Sequence, residues 1–428
     1  MAEIAHDVAV VGAGPAGIAA TVLAAAAGRS VVVLDEARTP GGQVWRPGSG
    51  GAPGRQARRW LRRLRESGAG MMGGTTVVDL ARDGDGHVIL AERDDTPVVI
   101  RAGTLILATG ARERLLPFPG WTLPGVVAAG GAQALVRAGW RVHGRRVVVA
   151  GTGPLLLAAA AALARAGARV LEVAEQADAG SIRRFAAGLW SSPGRILQAG
   201  AYRAVLGRTR HTAGTWVVRA EAGSDGALVA VVLTDGRRAR VVPCDLLCTG
   251  YSLVPATELA RLAGCRMDGH AAVVDEHART TVPGVLCAGE GTGVKGVAGA
   301  IVEGTIAGTV AAGGKPGAAL LRARAREAAF GRRLEGAFAL RPGLRERVRP
   351  DTIVCRCEDV RLAGLDGYDS VREAKLATRL GMGACQGRVC GAAAEFLFGW
   401  TGDAVRPPAM PATIGTLLGA GVSTPGDE

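Results

Sequence analysis

Apolar and polar residues come in blocks along the first part of the chain, and each block matches one element of an α/β unit. Residues 7–11 form a short apolar run, and an alanine-rich stretch reaching about Ala27 follows a glycine-rich turn. A second apolar run then covers residues 30–34. Short β-branched runs flanked by glycine indicate buried strands, whereas a longer alanine-rich stretch indicates a helix. The pattern therefore predicts a strand, a helix and a second strand.

The turn between the first strand and the helix has the spacing of a dinucleotide site. Its residues are Gly12, Gly14, Pro15, Ala16 and Gly17. In such a turn the first glycine permits a tight bend, the second lets the backbone approach a pyrophosphate, and the third allows close helix–strand packing. The helix N-terminus favours the negative phosphates. An acid follows 23 residues after the first glycine, so Asp35 is the predicted ribose ligand and Glu36 the second choice.

A second unit of this kind begins about a third of the way along the chain. An apolar run at 146–150 leads into Gly151 and Gly153, an alanine-rich helix, and a second run that ends at Glu175. Leu156 stands at the third glycine position and would crowd the helix against the strand or a ligand. Two interpretations stay open: a βαβ core that binds no nicotinamide, or a site for NAD or another adenine nucleotide. Glu175 would repel a 2′-phosphate, which favours NAD over NADP.

Further strand-to-turn patterns show how these units are connected. They lie at residues 105–111, which end in Thr109, Gly110 and Ala111, and at 245–251 and 282–290. Their order predicts an α/β protein with two Rossmann-like dinucleotide-binding domains, the second inserted in the first. The predicted domains are 1–118 with 250–315, 119–249, a linker with a helix at 316–350, and a small C-terminal domain at 351–428.

Four cysteines of the C-terminal part form two short clusters. Cys355 and Cys357 are followed, after 27 intervening residues, by Cys385 and Cys390. One loop is enough to bring both pairs to a single inorganic centre, and four thiolates hold either a [2Fe–2S] cluster or a structural zinc ion. A single residue separates the first two cysteines, where zinc knuckles commonly have two, so the cluster is favoured. The remaining cysteines, Cys244, Cys248, Cys265 and Cys287, lie in or beside apolar strands and are predicted to be buried.

Charge and composition exclude some classes of function. The formal net charge is +13, but the abundance of arginine, alanine and glycine suggests GC-rich coding, and no basic stretch carries interleaved aromatics. Nucleic-acid binding is therefore not predicted. The uncharged stretch 147–164 is long enough to raise the question of a membrane span, but the turn at 151–154 breaks it. No signal peptide opens the chain, and eight cysteines without one predict a reducing, cytoplasmic location.

These motifs together resemble the flavoproteins with two dinucleotide-binding domains, in which the first glycine turn binds FAD. A late Gly-Asp motif of that group holds the ribityl chain, and Gly289 and Glu290 stand in its place here. The sequence is more closely similar to the FAD/iron–sulfur α subunits of heteromeric amine and imino-acid dehydrogenases. That family includes the α subunit of D-hydroxyproline dehydrogenase, the opine oxidase A subunit and the hydrogen cyanide synthase B subunit. The residues that carry this closer resemblance are the run 40–46, with Gly41, Gly42, Gln43 and Arg46, and the runs 244–255, 351–359 and 378–391, while the run 108–114 belongs to the wider flavoprotein resemblance.

The resemblance implies cofactors, partners and a role. It implies FAD and a [2Fe–2S] cluster in a C-terminal domain like bacterioferritin-associated ferredoxin, and it leaves room for FMN at an interface between subunits. It also implies a D-amino-acid-oxidase-like flavin partner that oxidises the amine, and a small ferredoxin-like subunit. The chain would then relay electrons without catalytic acids or bases of its own. Two alternatives stay open: an NAD(P)H-dependent flavin oxidoreductase that feeds its own cluster, and a structural subunit whose nucleotide pockets hold an assembly together.

Overall fold

A computed structural model describes residues 3–46, 54–402 and 405–419 of the chain. Residues 1–2 and 47–53 of the predicted FAD-binding domain lie outside the described residues. Residues 403–404 and 420–428 of the predicted C-terminal domain are also outside them. All the predicted cofactor and cysteine ligands lie within the described ranges.

The strands and helices are numbered in chain order. The strands are β1 (Glu3–Val11), β2 (Val31–Asp35), β3 (Gly70–Gly73), β4 (Thr75–Asp83), β5 (Gly86–Arg93), β6 (Thr96–Leu107), β7 (Ala111–Glu113), β8 (Val126–Ala128), β9 (Arg146–Thr152), β10 (Arg169–Glu175), β11 (Arg210–Ala213), β12 (Trp216–Ala222), β13 (Leu228–Thr234), β14 (Ala239–Pro243), β15 (Leu246–Tyr251), β16 (Leu253–Pro255), β17 (Met267–Asp268), β18 (Ala271–Ala272), β19 (Val285–Cys287), β20 (Ile353–Cys355) and β21 (Val360–Arg361). The helices are α1 (Pro15–Ala26), α2 (Gly42–Trp45), α3 (Arg55–Glu66), α4 (Ala129–Arg137), α5 (Leu155–Arg165), α6 (Ala179–Ala187), α7 (Pro193–Leu206), α8 (Glu258–Leu262), α9 (Gly296–Ala311), α10 (Ala318–Ala337), α11 (Val371–Thr378), α12 (Cys390–Phe398) and α13 (Ile414–Gly419).

The first sheet has the order β3-β2-β1-β6-β5-β4, and β19 joins it beside the second half of β6. Strands β1, β2, β6 and β19 are parallel to one another. Strand β5 runs antiparallel to both of its neighbours, β6 and β4. Strand β2 is fully buried over Val31–Leu34, and successive residues enter two different hydrophobic clusters. Both faces of the sheet are therefore covered, which explains why its central strands are continuous apolar runs rather than alternating ones.

Helices α1 and α9 pack on one face of this sheet with their backbones in close contact. A side chain at Gly304 would overlap the carbonyl oxygen of Ala16, and one at Gly308 would overlap that of Ala20. Only glycine allows this approach at these two positions, because a β-carbon at either would meet the backbone of α1 and push the helices apart. The contact fixes the late segment of the chain against the first glycine turn.

The second sheet consists of parallel strands in the order β11-β10-β9-β15-β8. Its strands lie in the chain between β7 and β16, which pair with each other as a short antiparallel ladder. Leu156, at the third glycine position, is buried in the core cluster that includes Val147 and Val149. Its side chain therefore packs between α5 and the sheet. The antiparallel strands β12, β13 and β14 form a separate small sheet.

The uncharged stretch 147–164 divides between β9 and α5, in agreement with the prediction that it is no membrane span. Within the part of the chain that the structure describes, no helix has the length and apolar character needed to cross a membrane.

Residues 353–400 form a small lobe with its own core, whereas residues 405–413 return to the first sheet, where Ala409 donates its N–H to the carbonyl of Val78 at 2.7 Å. The buried side chains of the lobe include Val354, Leu365, Leu380 and Trp400, and the ring of Trp400 stacks on Phe398 at a centroid distance of 4.3 Å. Cys355 and Cys390 belong to this core. The lobe is therefore built around two of the predicted ligand cysteines.

We expect Gly304→Ala to destabilise the protein by about 3 kcal/mol or more, at the upper end of overpacking effects, because the added methyl meets backbone rather than a movable side chain. The measurement is the denaturant midpoint of unfolding. Gly200→Ala in α7 is the matched control: its methyl would meet nothing within 4 Å, so a gain of about 0.5–1 kcal/mol is expected. Equal midpoints for Gly304→Ala and the wild type would contradict the proposed helix contact.

Candidate functional site

The candidate site lies at the carboxyl ends of four parallel strands. Val11 of β1 is level with Leu34 of β2 and with Leu107 of β6, and Leu107 is level with Cys287 of β19. The loops that follow these strands carry the predicted cofactor residues of the first unit. Ligands of open α/β sheets bind outside the carboxyl ends of the strands, so this edge is where a dinucleotide belongs.

The glycines of the first turn have three different surroundings. A β-carbon at Gly12 would overlap the carbonyl of Ala108, and one at Gly17 would overlap the carbonyl of Gly12. A β-carbon at Gly14 would meet nothing within 4 Å. Gly12 and Gly17 thus serve the packing of the turn, whereas Gly14 faces space that a ligand can fill. Pro15 begins helix α1, and its fixed φ suits that position.

Asp35 bridges the turn and the strand end that follows it. Its Oδ2 accepts the N–H of Ala13 at 2.5 Å, and its Oδ1 accepts the N–H of Ala37 at 2.7 Å. Each oxygen keeps a lone pair for a further donor such as a ribose hydroxyl. Glu36 is exposed. Of the two predicted ribose ligands, Asp35 is the one tied to the turn.

The segment Gly41–Arg46 lies directly against the first turn. The N–H of Gly41 donates to the carbonyl of Ala13 at 2.8 Å, and a β-carbon at Gly42 would come within 2.9 Å of the Cα of Gly14. Gln43 accepts a hydrogen bond from Arg137 through its carbonyl at 2.6 Å. Nε of Arg46 is buried and has no hydrogen-bond partner among the described residues. A buried guanidinium nitrogen without an acceptor fits an anionic or carbonyl-bearing ligand at this turn.

The turn Thr109–Ala111 completes the edge on the side of β6. The hydroxyl of Thr109 donates to the carbonyl of Ala256, and the N–H of Ala256 donates to the carbonyl of Gly110 at 3.0 Å. Gly110 has a φ of +75°, and a β-carbon there would meet nothing within 4 Å. The turn is thus held by the returning chain while its glycine stays open to a ligand.

Gly289 and Glu290 follow β19 at the same edge. A β-carbon at Gly289 would lie 2.8 Å from that of Ala16, so glycine brings this loop onto the first turn. The carboxylate of Glu290 accepts the N–H of Lys295 at 3.0 Å and that of Gly296 at 2.8 Å, at the N-terminus of α9. Burial raises the pKa of Glu290, and these two amides oppose the rise. Its oxygens retain lone pairs for a hydroxyl donor.

A buried charge network supports this loop, and sequence reasoning missed it. Glu303 of α9 accepts the N–H of Gly289 at 2.9 Å and the hydroxyl of Thr292 at 2.6 Å. Its other oxygen lies 3.0 Å from Nζ of Lys295 and 3.6 Å from Nε of Arg324. Glu303 is 2% exposed, so its charge is stable only with these partners. An acid inside an otherwise apolar, glycine-rich helix was the available signal.

The second turn is also tied to the acid that ends its next strand, but through a different residue: Glu175 takes the amide of the second glycine, whereas Asp35 takes that of Ala13, after the first. Glu175 accepts the N–H of Gly153 at 2.6 Å and that of Ala177 at 2.8 Å. Gly151 is packed against the backbone of Gly250, whereas a β-carbon at Gly153 would meet nothing within 4 Å. Burial raises the pKa of Glu175 to about 7, against the opposing effect of the turn amides.

The four cysteines of the C-terminal lobe come together as two interacting pairs. The thiol of Cys357 hydrogen-bonds with that of Cys385, and the thiol of Cys355 with that of Cys390. Cys355 and Cys390 are buried, Cys385 is half-buried and Cys357 is exposed. Within residues 3–46, 54–402 and 405–419, no three His, Cys, Asp or Glu side chains converge as a metal-ion site. The four cysteines predicted as ligands are thus neighbours in the structure, but their thiols do not form a tetrahedral site for a single ion.

Backbone groups surround these thiols closely. Gly383 lies against the β-carbon of Cys357, and a β-carbon at Gly381 would lie 3.8 Å from the sulfur of Cys390. Burial alone would raise the pKa of Cys385. Hydrogen bonds from the amide of Val389, the thiol of Cys357 and further turn amides instead hold that pKa below its ordinary value. The turn therefore favours a thiolate at Cys385.

The remaining cysteines are buried, as predicted. Cys244 lies just before strand β15, Cys248 within it, Cys265 after α8, and Cys287 in β19. Burial raises the pKa of Cys244 to about 12 and that of Cys287 to about 12. These thiols stay protonated at neutral pH, so they are poor nucleophiles.

The C-terminal lobe is attached beside the first site through an ion-pair bridge. Glu258 of α8 lies 2.6 Å from the guanidinium of Arg112, the residue after Ala111, and 3.8 Å from that of Arg388. Arg388 lies between Cys385 and Cys390 in sequence and also donates to the carbonyl of Ala409 at 2.6 Å. Burial alone would raise the pKa of Glu258, but the hydrogen bond from Arg112 lowers it. The bridge connects the thiol-bearing loop to the turn after β6.

Residues 6–312 match the model of the pyridine nucleotide-disulphide oxidoreductase family. The chain belongs to this family. The opine oxidase A subunit of Rhizobium meliloti (strain 1021) is 34% identical to it, over 96% of the chain and 98% of that protein. The HcnB subunit of hydrogen cyanide synthase from Pseudomonas aeruginosa is 32% identical, over 89% of the chain and 90% of that protein. The predicted resemblance to the subunits of these oxidoreductases is thereby confirmed.

Solved structures share the fold at low sequence identity. L-proline dehydrogenase from P. horikoshii superimposes with a TM-score of 0.67 and 20% identity, covering 97% of this chain and 80% of that chain. Thioredoxin reductase from T. acidophilum gives a TM-score of 0.56 and 22% identity, covering 72% of this chain and 98% of that chain. The chain therefore shares the Rossmann-like α/β fold of these proteins.

The raised pKa of Glu175 predicts a pH-dependent difference in stability. A carboxyl whose folded pKa is about 7, above its ordinary value of 4.5, favours the folded state at low pH, and this contribution is lost as pH rises through about 7. We expect Glu175→Gln, measured by thermal unfolding at pH 5 and pH 8, to lose less stability than the wild type between those values, by on the order of 2 kcal/mol. Glu276→Gln, whose side chain is 71% exposed, is the control. Parallel pH profiles for wild type and Glu175→Gln would contradict the raised pKa.

Proposed function

We propose that the chain is the FAD- and [2Fe–2S]-containing electron-transfer subunit of a multimeric dehydrogenase or oxidase that acts on an amine or imino acid. The observation that carries the proposal is the grouping of four thiols in a lobe that an ion-pair bridge attaches to the dinucleotide edge of a family-typical flavoprotein body. The identity to the opine oxidase A subunit and to HcnB over most of the chain supports the same class of enzyme.

FAD would be held by the loops after β1, β2, β6 and β19. The open face of Gly14 and the N-terminus of α1 would receive the pyrophosphate, and Asp35 a ribose hydroxyl. Glu290 would accept a ribityl hydroxyl, while Arg46 would supply the unpaired guanidinium donor. These residue types fit the cofactor, because each group faces the edge with spare hydrogen-bonding capacity.

The cluster would be held by Cys355, Cys357, Cys385 and Cys390. A two-iron cluster needs two thiolates for each iron, and two interacting thiol pairs offer that number of donors. The turn amides that favour a thiolate at Cys385 suit an anionic centre. A structural zinc ion, the alternative at the same cysteines, needs four thiolates in a tetrahedron.

The chemistry of the chain would be electron transfer alone. The residues named above would hold FAD and the cluster, which when bound supply electron transfer between a partner flavin subunit and a quinone, a carrier or oxygen. The chain's own residues bind and orient these groups and need no general acid or base. The family resemblance suggests the remaining parts of the proposal. These are a D-amino-acid-oxidase-like partner, a small ferredoxin-like subunit, FMN at an interface between subunits and a cytoplasmic location.

We also propose the division into domains predicted above. The return of β19 to the first sheet after β15 supports a first unit at 1–118 and 250–315 that is interrupted by a second at 119–249. The buried core of residues 353–400 supports a separate C-terminal domain from 351. The predicted linker at 316–350 contains the 20-residue helix α10.

The alternative is an NAD(P)H-dependent flavin oxidoreductase that feeds its own cluster. The hydrogen bonds of Glu175 to the amides of Gly153 and Ala177 favour it, because an acid at the strand end is then in place for a ribose of a second dinucleotide. The choice depends on whether a nicotinamide can reach that turn.

Gly14→Val tests the FAD site. The backbone of Gly14 is extended, with φ −77° and ψ −176°, so valine fits there and should leave folding unchanged. Its side chain would fill the space assigned to the pyrophosphate and should weaken FAD binding about tenfold or more, a loss of about 1.4 kcal/mol for each factor of ten. The measurement is flavin binding to the apoprotein, with Gly200→Ala as control. Unchanged FAD affinity would place the cofactor elsewhere.

Cys385→Ser tests the cluster and the electron route. The anaerobically purified chain should contain one FAD and about two irons, with an EPR signal after dithionite reduction. Cys385→Ser should lose the iron and the signal but retain FAD, while the buried Cys287→Ser should retain all three. Loss of bound zinc instead of iron would support the structural alternative.

The same preparations test the role when a D-amino-acid-oxidase-like chain from the same genome is co-expressed. Amine or imino-acid substrates should then reduce the centres of this chain only in the complex. Reduction of the isolated chain by an amine would contradict an electron-relay role.

A further inference from the structure

A segment of the predicted linker, Phe338–Arg347, crosses the edge of the second sheet. It follows α10 directly and passes over the carboxyl ends of β10, β9 and β15, which are neighbours in that order. We call it the closing segment. The carboxyl ends of these strands form the crevice in which an open α/β sheet binds its nucleotide.

Two buried polar residues at the strand ends bind the backbone of the closing segment. Gln176, which follows β10, donates from Nε2 to the carbonyl of Ala339 at 2.9 Å and accepts the N–H of Arg341 at 3.2 Å. Thr152, the last residue of β9, donates to the carbonyl of Phe338 at 3.3 Å, and Gln176 donates to its hydroxyl at 3.0 Å. Gln176 is 0% exposed and Thr152 1%, so the segment seals this part of the edge from water.

Side chains fix the near end of the closing segment. The ring of Phe338 meets that of Phe185 in α6 edge to face, at a centroid distance of 5.1 Å. The guanidinium of Arg341 lies over the ring of Trp216, 5.6 Å from its centroid, and 3.9 Å from Asp178. The segment is therefore packed on both sides of its backbone contacts.

The far end of the closing segment covers the end of β15. Arg347, 4% exposed, donates to the hydroxyl of Tyr251 at 2.6 Å and to the carbonyl of Val217 at 2.9 Å. Its guanidinium lies 4.8 Å from the ring centroid of Tyr251 and 5.1 Å from that of Phe118. Leu344 is buried beside Tyr251 in the same cluster. A buried guanidinium with these partners anchors the segment where a second nucleotide would extend.

The glycine turn after β9, by contrast, is not covered by the closing segment at Gly153. A β-carbon at Gly153 would meet nothing within 4 Å, so a pyrophosphate can still approach. A dinucleotide bound there would place its first ribose at Glu175 and run onward over Thr152 toward β15. The closing segment occupies that course.

We propose that the closing segment determines nucleotide specificity, because it excludes the nicotinamide half of NADH or NADPH from the second unit while leaving room for phosphate groups at Gly153. The inference concerns a different site from the proposed electron-transfer centres and rests on the proposed function only in that FAD fills the first site. Its consequence is that reduced nicotinamide is not the electron donor.

The test is calorimetric binding of NADH and of ADP to the FAD-saturated full chain. The wild type should bind NADH no more tightly than ADP, because the nicotinamide half of NADH would make no contact with the protein. The double variant Gln176→Ala/Phe338→Ala removes the backbone and ring contacts, and we expect it to bind NADH at least tenfold more tightly than the wild type does. Glu346→Ala, on the exposed side of the same segment, should behave as wild type.

Two results would overturn the proposal. One is wild-type binding of NADH at least tenfold tighter than that of ADP. The other is unchanged NADH affinity in a variant whose amides at 339–341 have become exchangeable with deuterium. If the double variant does not fold, the affinity for NADH is compared between the wild type and Arg341→Ala, because the Arg341 side chain is 34% exposed. Iron content and amine-driven reduction are read separately, so failure here leaves the electron-transfer proposal to its own test.

Discussion

The first site depends on the backbone contact between α1 and α9. These helices come from opposite ends of the flavoprotein body, and only the missing side chains of Gly304 and Gly308 let them touch. The contact determines how close the loop after β19 lies to the first glycine turn. Asp35 and Glu290, which are far apart in sequence, therefore face one edge. A wider helix spacing would leave each half of the site intact and separate the halves.

Buried carboxylates recur at the critical turns, and each is satisfied in a different way. Asp35 and Glu175 accept backbone amides of their own turns, whereas Glu303 relies on Lys295 and Arg324 as well. Amide donors cost no side-chain entropy, so they suit positions where a ligand must later share the carboxylate. Cations fully neutralise Glu303, which suits a residue that holds a loop and is not shared.

Local spacing was enough to predict the turns, because the glycines, the helix and the acid all lie within about thirty residues and follow from backbone geometry. The predicted strands and helices around Gly12 and Gly151 agree with the structure. Glu303, Glu258 and Gln176 could not be found in this way. Gln176 lies 163 residues from Ala339, and such a pairing is set by how sheets and loops pack, for which a single sequence carries no periodic signal. Leu156 was expected to crowd the helix against the strand or a ligand, and its side chain lies in the core between α5 and the sheet.

The attachment of the C-terminal lobe has a kinetic consequence. Trp121 donates its indole N–H at 2.6 Å to the carbonyl of Ile353, the first residue of the strand that ends at Cys355. Glu258 lies 3.8 Å from Arg388, in the loop between the other two cysteines. These contacts hold the lobe to both proposed dinucleotide-binding units at once. In the proposed electron transfer, electrons would therefore tunnel over a separation that these contacts set, without a swinging motion of the lobe.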